Sequence, residues 1–194
     1  MGDRVAWLAG LVLLALVMVP VVLMVTALWQ QSADVLSVGF LLEDPGRAGR
    51  SGGIAALLIS TAWILGLCLM VAVPLGLGCA LYLSESLPAD SRRAQWLGGV
   101  LDMLAAVPSI VYGLFGYQFF AIRLGLGFSI LSGALALSLM VLPLMIRSAE
   151  QAMRAVPMGY RQARDALALS HWGWVRRILL PCAAPGIAVG IILS

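Results

Sequence analysis

The sequence predicts an all-α membrane protein, a polytopic bundle of transmembrane helices, and three observations carry that expectation. Hydrophobic residues make up 62% of the chain and charged residues only 11%, against about 25% charged in an ordinary soluble domain. Mean hydropathy is +1.02, too apolar for a surface in water. Four stretches have the roughly 20 apolar residues that a helix needs to cross a hydrocarbon core about 30 Å thick, and a fifth begins near the end. Backbone groups in lipid must be satisfied within the protein, so long apolar runs mean helices. The alternating segments of about 10 residues that mark a membrane β-barrel do not occur.

The first stretch covers residues 5–29. It exceeds the roughly 7–15 residues of a signal-peptide core, and Val25-Thr26-Ala27 is a poor cleavage site. Trp7 and Trp29 would lie about 33 Å apart on a helix, one at each interface, so this is read as a retained span. The loop at 30–53 ends in Pro45-Gly46-Arg47-Ala48-Gly49-Arg50-Ser51-Gly52-Gly53, which reads as a flexible connection. Residues 1–53 thus form a first span with an external loop, and residues 54–194 a membrane domain.

That domain opens with the stretch 54–83. The next, 96–122, contains a single charge, Asp102, and carries Pro108 in mid-span. A proline frees the carbonyl four residues earlier, so the helix is expected to kink or unwind beside Ser109 and Gly113. Plain helix packing by small residues is an equal alternative. The connection at 123–127 is short enough to make a tight hairpin with the fourth stretch, 124–146. The fifth, 178–194, falls short of a crossing, giving four complete spans and part of a fifth.

All twelve basic residues are arginine. With the N-terminus in the cytoplasm, Arg4, Arg92, Arg93, Arg147, Arg154, Arg161, Arg164, Arg176 and Arg177 fall inside and Arg47, Arg50 and Arg123 outside, which the positive-inside rule favours. Asp102, near the start of the third span, is expected to pair with a neighbouring arginine. The three cysteines lie in apolar runs without metal-type spacing, and His171 is the only histidine. Neither a metal site nor a Ser-His-Asp triad is expected.

The segment 148–177 is the polar one. Val156-Pro157 and Ser170 punctuate it into two short helices. Tyr160, Ala163 and Leu167 recur on one face, with Arg161, Gln162, Arg164 and Asp165 around the others, an amphipathic helix outside the bilayer. Such a helix either lies on lipid headgroups, with Trp172 and Trp174 beside it, or offers an apolar and charged knob to a partner.

Gln162-Ala163-Arg164-Asp165-Ala166-Leu167-Ala168-Leu169, followed by Ile178-Leu179-Leu180-Pro181 and Pro185-Gly186, resembles the EAA loop of ABC importer permeases. Ala106-Val107-Pro108-Ser109-Ile110-Val111-Tyr112-Gly113-Leu114-Phe115-Gly116 resembles the third-span signature of phosphate importer permeases. Pro74-Leu75-Gly76-Leu77-Gly78, Tyr82-Leu83-Ser84-Glu85, Leu142-Pro143-Leu144-Met145-Ile146-Arg147 and Arg154-Ala155-Val156-Pro157 are similar to the PstA-type subunit. The resemblance covers roughly residues 51–194. It implies the MetI-like permease fold and a transport subunit of the bacterial inner membrane that is not an enzyme. It has no cofactor of its own, because the partner ATPase uses the ATP.

The implied partners are a PstC-like second permease subunit, a PstB-like cytoplasmic ATPase dimer, a periplasmic PstS-like phosphate-binding protein and membrane lipid, with no role for nucleic acid. The implied coupling loop holds Arg161, Gln162, Ala163, Asp165, Ala168 and Pro181. The pathway candidates are Pro108, Ser109, Tyr112, Gly113 and Arg147; an arginine can give two parallel hydrogen bonds to a phosphate, although one at a helix end also reaches for headgroups. Gln162 stands where the family has Glu, and Ala168 where it has Gly. Relatives continue through a complete fifth span and a sixth, so the sequence is expected to be a fragment or a truncated subunit. The competing expectations are a permease for another oxyanion or small solute, and an intramembrane enzyme or scaffold. The last would need paired catalytic groups within the spans, where only Asp102 is charged.

Overall fold

The computed structural model of the protein describes residues 2–33, 37–46, 51–88, 90–167 and 169–193. The chain divides into two compact units, Met1–Ile59 and Ser60–Ser194.

In the first unit, α1 (Gly2–Ser32) carries no charged residue from 5 to 29, as a lipid-embedded helix does not. Ser37 caps α2 (Val38–Leu42) by accepting from the Phe40 amide at 3.2 Å. The stretch expected to be a flexible connection is partly folded: β1 (Pro45–Gly46) pairs antiparallel with β2 (Ser51–Gly52). Glycine suits a linker and a tight approach equally well, and here Gly52 has φ +85° with the Asp44 carbonyl too close for any Cβ. Arg47 and Arg50 lie outside the described residues.

The helix α3 (Ala55–Leu81) ends in a π turn, Tyr82–Ser86. Then come α4 (Arg92–Ala105), α5 (Ser109–Gly116) with a π turn at Tyr117–Arg123, and α6 (Ile130–Arg154). They are followed by α7 (Met158–Ala166), α8 (His171–Trp174), a third π turn at Val175–Leu179, and α9 (Leu180–Leu193). α6 is the central element, packed against α4, α5 and α9. It meets α3 through Ala72, Val141 and Met145, and there the Ser138 hydroxyl donates to the Cys68 carbonyl at 3.2 Å. It meets α8 and α9 through Ala149, Met153, Trp174, Val175, Leu179, Ala183 and Ile187. α9 comes close enough that a Cβ on Gly186 or Gly190 would lie 2.8 Å or 2.6 Å from the side chain of Ala152 or Ser148. Lipid gives no hydrophobic drive between helices, so small residues that admit such approach take its place.

Among the described residues, four helices are long and apolar enough to cross a membrane: Gly10–Ser32, Ala55–Ser86, Ile130–Arg154 and His171–Leu193. Three expected boundaries move. The stretch 96–122 is no single helix: the break expected at Pro108 is observed, as a bend of 87° between α4 and α5. The proline disfavours helical geometry at Val107 and cannot donate to Leu104. The freed Leu104 carbonyl accepts instead from the Tyr112 hydroxyl at 2.8 Å and the Val107 amide at 3.1 Å. The fourth helix starts at Ile130, after a turn with positive φ at Gly125 and Gly127, and continues past Ile146 to Arg154. Its terminal charges are paired within the protein, so they do not end it. The fifth stretch is longer than expected, because Ser170 caps a helix that runs continuously from His171 to Leu193. The second short helix expected in 148–177 is therefore the first turn of this last one.

Candidate functional site

The charges that the sequence scatters along the chain converge at one end of the second unit. Arg147, Glu150 and Arg154 follow one another at helical spacing on α6. Arg147 makes a two-pronged pair with Asp102 of α4, Nε to Oδ1 at 2.8 Å and Nη2 to Oδ2 at 2.7 Å. Its Nη1 reaches Glu150 at 3.1 Å, and the other oxygen of Glu150 accepts from Arg154 Nε at 2.9 Å. Arg154 Nη2 in turn donates to the Leu83 carbonyl at 2.7 Å in the π turn that ends α3. Gly98 makes room for this chain, since a Cβ there would lie 3.1 Å from Arg147 Nη1. These groups line a polar cavity of about 370 Å³ together with Ala94, Gln95 and Gly99.

A second cluster sits beside it. Glu85, whose side chain is 1% exposed, accepts from Arg161 Nη1 at 2.9 Å and from Trp174 Nε1 at 2.8 Å. Arg164 Nη1 is 3.6 Å from the same carboxylate, and its guanidinium lies over the Trp174 ring at 5.9 Å. Arg161 Nη2 also donates to the Met153 carbonyl near the end of α6 at 3.3 Å.

These bonds decide how α7 is turned. Arg161 and Arg164 form its inward side, while Tyr160, Leu167 and Met158 are exposed, as are Gln162 and Ala163. The helix is amphipathic as the spacing indicates, but its charged side faces the protein and its apolar side faces outward. Asp165 belongs to α7, and Ala168 lies outside the described residues. Pro181 is exposed, two residues beyond the third π turn; such widened turns recur where a helix accommodates an irregularity.

The pathway candidates separate into two places. Pro108 precedes the first turn of α5, Ser109 opens it, and Tyr112 spans the bend. Gly113 lines an apolar cavity of about 450 Å³ between α5, the turn after it and the start of α6, with Gly116, Tyr117, Phe128, Ser132 and Ala136. Arg147 lines the polar cavity instead. The pairing of Asp102 with an arginine is observed, and its partner is Arg147. Glu150 escaped the sequence reading, and Arg154 entered it only through the arginine distribution and a motif, even though their i, i+4 spacing signals a pair. Glu85 stood in the sequence as a charge at the end of an apolar run and as part of the Tyr82-Leu83-Ser84-Glu85 motif, and neither signal named its partners.

Residues 72–194 match the family described as binding-protein-dependent transport system inner membrane component. The chain belongs to this family. Among relatives of this transport component, the probable ABC transporter permease protein YqgI of Bacillus subtilis is 35% identical over 159 residues, covering 82% of the chain and 54% of that protein. Phosphate transport system permease protein PstA 1 of Mycobacterium tuberculosis is 40% identical over 144 residues, 74% of the chain and 47% of that protein. PstA 2 of Mycobacterium bovis is 32% identical over 193 residues, 99% of the chain and 62% of that protein. The chain thus spans about half to three fifths of the length of these relatives. The expected resemblance to PstA-type permeases is met by these similarities, and the multi-pass, all-α fold agrees with the family.

Proposed function

We propose that the chain forms part of a permease subunit of an ATP-driven importer of inorganic phosphate in the bacterial inner membrane. Support for the substrate comes from the relatives named as phosphate transport permeases. In this reading the N-terminus and the charged end of α4, α6 and α7 face the cytoplasm, following the arginine distribution. A PstC-like subunit completes the pathway, a PstB-like dimer hydrolyses ATP, and a periplasmic PstS-like protein delivers phosphate.

The observation that carries the coupling role is the orientation of α7. Its charged side is bound to the bundle, which leaves Tyr160, Ala163 and Leu167 outward as an apolar ridge for a groove on the ATPase. Burying one such large side chain is worth about 1.5–3 kcal/mol. Gln162 lies exposed beside the ridge and offers a neutral amide where the family has a carboxylate, so a charge-assisted bond worth about 1.5–3 kcal/mol would be absent there. The subunit makes and breaks no bonds: nucleotide-driven movement of α7 would be passed to α3 and α8–α9, alternately opening a path past the bend at Pro108, Ser109, Tyr112 and Gly113. Arg147 would meet the anion at the cytoplasmic end, exchanging Asp102 for phosphate oxygens of matching geometry.

The relative named only as a probable ABC transporter permease leaves room for another oxyanion or small solute. Uptake decides both points. Membranes carrying the protein with a Pst-type ATPase, partner permease and binding protein should accumulate radiolabelled phosphate in an ATP-dependent manner, with excess unlabelled phosphate suppressing the signal and sulfate leaving it intact. No ATP-dependent uptake would refute the reading, and suppression by sulfate would move it to the broader oxyanion class.

A further inference from the structure

The polar chain along α6 belongs to the pathway already described. The buried carboxylate of Glu85 does not, and several features single it out. It sits in the π turn ending α3, its side chain is 1% exposed, and its partners come from two elements much later in the sequence. One oxygen accepts from Arg161 on α7; the other accepts from Trp174 on α8, which continues into α9. Trp174 is itself 0% exposed, so the indole cannot follow α7 outward without opening the core. Finally, α7 has nine residues, well below the roughly 12–15 at which an isolated helix becomes even marginally stable in water. Its position must come from tertiary anchors.

We infer that Glu85 is the positioning residue of the docking helix: it holds α7 with Tyr160 and Leu167 outward and ties any load on α7 to both α3 and α8–α9. This rests on the reading of α7 as the ATPase-docking element. An apolar residue at 85 would leave Arg161 and Arg164 facing a buried surface without their carboxylate, and α7 would lose its orientation while the rest of α6 kept its packing.

The test is hydrogen exchange on the purified full chain in lipid nanodiscs, paired with titration of a Pst-type ATPase. Glu85→Gln preserves volume and removes the charge. Loss of a charge-assisted contact should speed amide exchange in α7 about tenfold or more, with residues 145–153 of α6 unchanged. The ATPase concentration needed for half-saturation should rise by a similar factor, and Glu85→Asp should restore part of both. Arg161→Gln breaks the same contact from the other side and should give the same α7 signature if the Glu85 variant fails to accumulate. Tyr160→Ala should weaken ATPase binding with α7 exchange unchanged, because it alters the ridge and leaves the anchor. Unchanged α7 exchange in Glu85→Gln overturns the anchor whatever the uptake assay gives, and faster exchange with undiminished ATPase binding overturns its part in coupling. If the unaltered chain binds no ATPase, the docking reading fails, and faster α7 exchange then supports Glu85 as an anchor of the fold alone.

Discussion

Two prolines of the second unit, Pro143 and Pro108, are answered differently by the helices around them. α6 contains Pro143 and is one continuous helix of 25 residues, whereas the stretch containing Pro108 bends by 87°. The difference lies in what surrounds them. Pro143 is buried, flanked by buried Val141, Met145 and Ile146, and α3, α4 and α9 hold the helix from several sides. Around Pro108, Met103, Leu104, Ile110 and Val111 are exposed, and a side chain on the far side of the break takes the orphaned carbonyl. A proline thus supplies the opportunity to bend, and packing on neighbouring helices decides whether it is used.

The contrast can be broken from either side. The largest effect is expected for Glu150→Ala, which leaves Arg147 and Arg154 without the carboxylate between them. Breaking a buried pair costs about 3–5 kcal/mol, and 28% exposure of both arginine side chains places this one near the lower end. Unfolding in graded denaturing detergent, followed by circular dichroism, should show the loss. Next comes Gly190→Leu, which drives a side chain into Ser148 and separates α9 from α6. Overpacking typically costs about 1–3 kcal/mol, and in the same assay the last turns of α6 should fray. The smallest is Tyr112→Phe, which removes the bond to the Leu104 carbonyl at a cost of about 0.5–1.5 kcal/mol. A spin-label distance between α4 and α5 should broaden in that variant while α6 stays as it was.

The helices themselves were legible because a long apolar run in lipid has few alternatives. Their ends were less so. Arg147, Glu150 and Arg154 look like a stop signal in one dimension; in the fold they pair with one another along α6 and, through Arg147, with Asp102 of α4. The same holds at the site: periodicity identified the two faces of α7, but which face turns inward depends on Glu85, 76 residues away in sequence from Arg161. Pro108 and Tyr112 were marked as special by the motif, and their geometric relation through the Leu104 carbonyl needed the fold.

In the proposed coupling role, α7 meets a protein partner rather than a lipid surface. Photo-cross-linking from a single photoreactive residue at position 160, in membranes that also hold the Pst-type ATPase and partner permease, tests it directly. The expected result is an adduct between the permease and the ATPase chain that is lost when the ATPase is omitted. Labelling of lipid alone, unchanged by the presence of the ATPase, would contradict it.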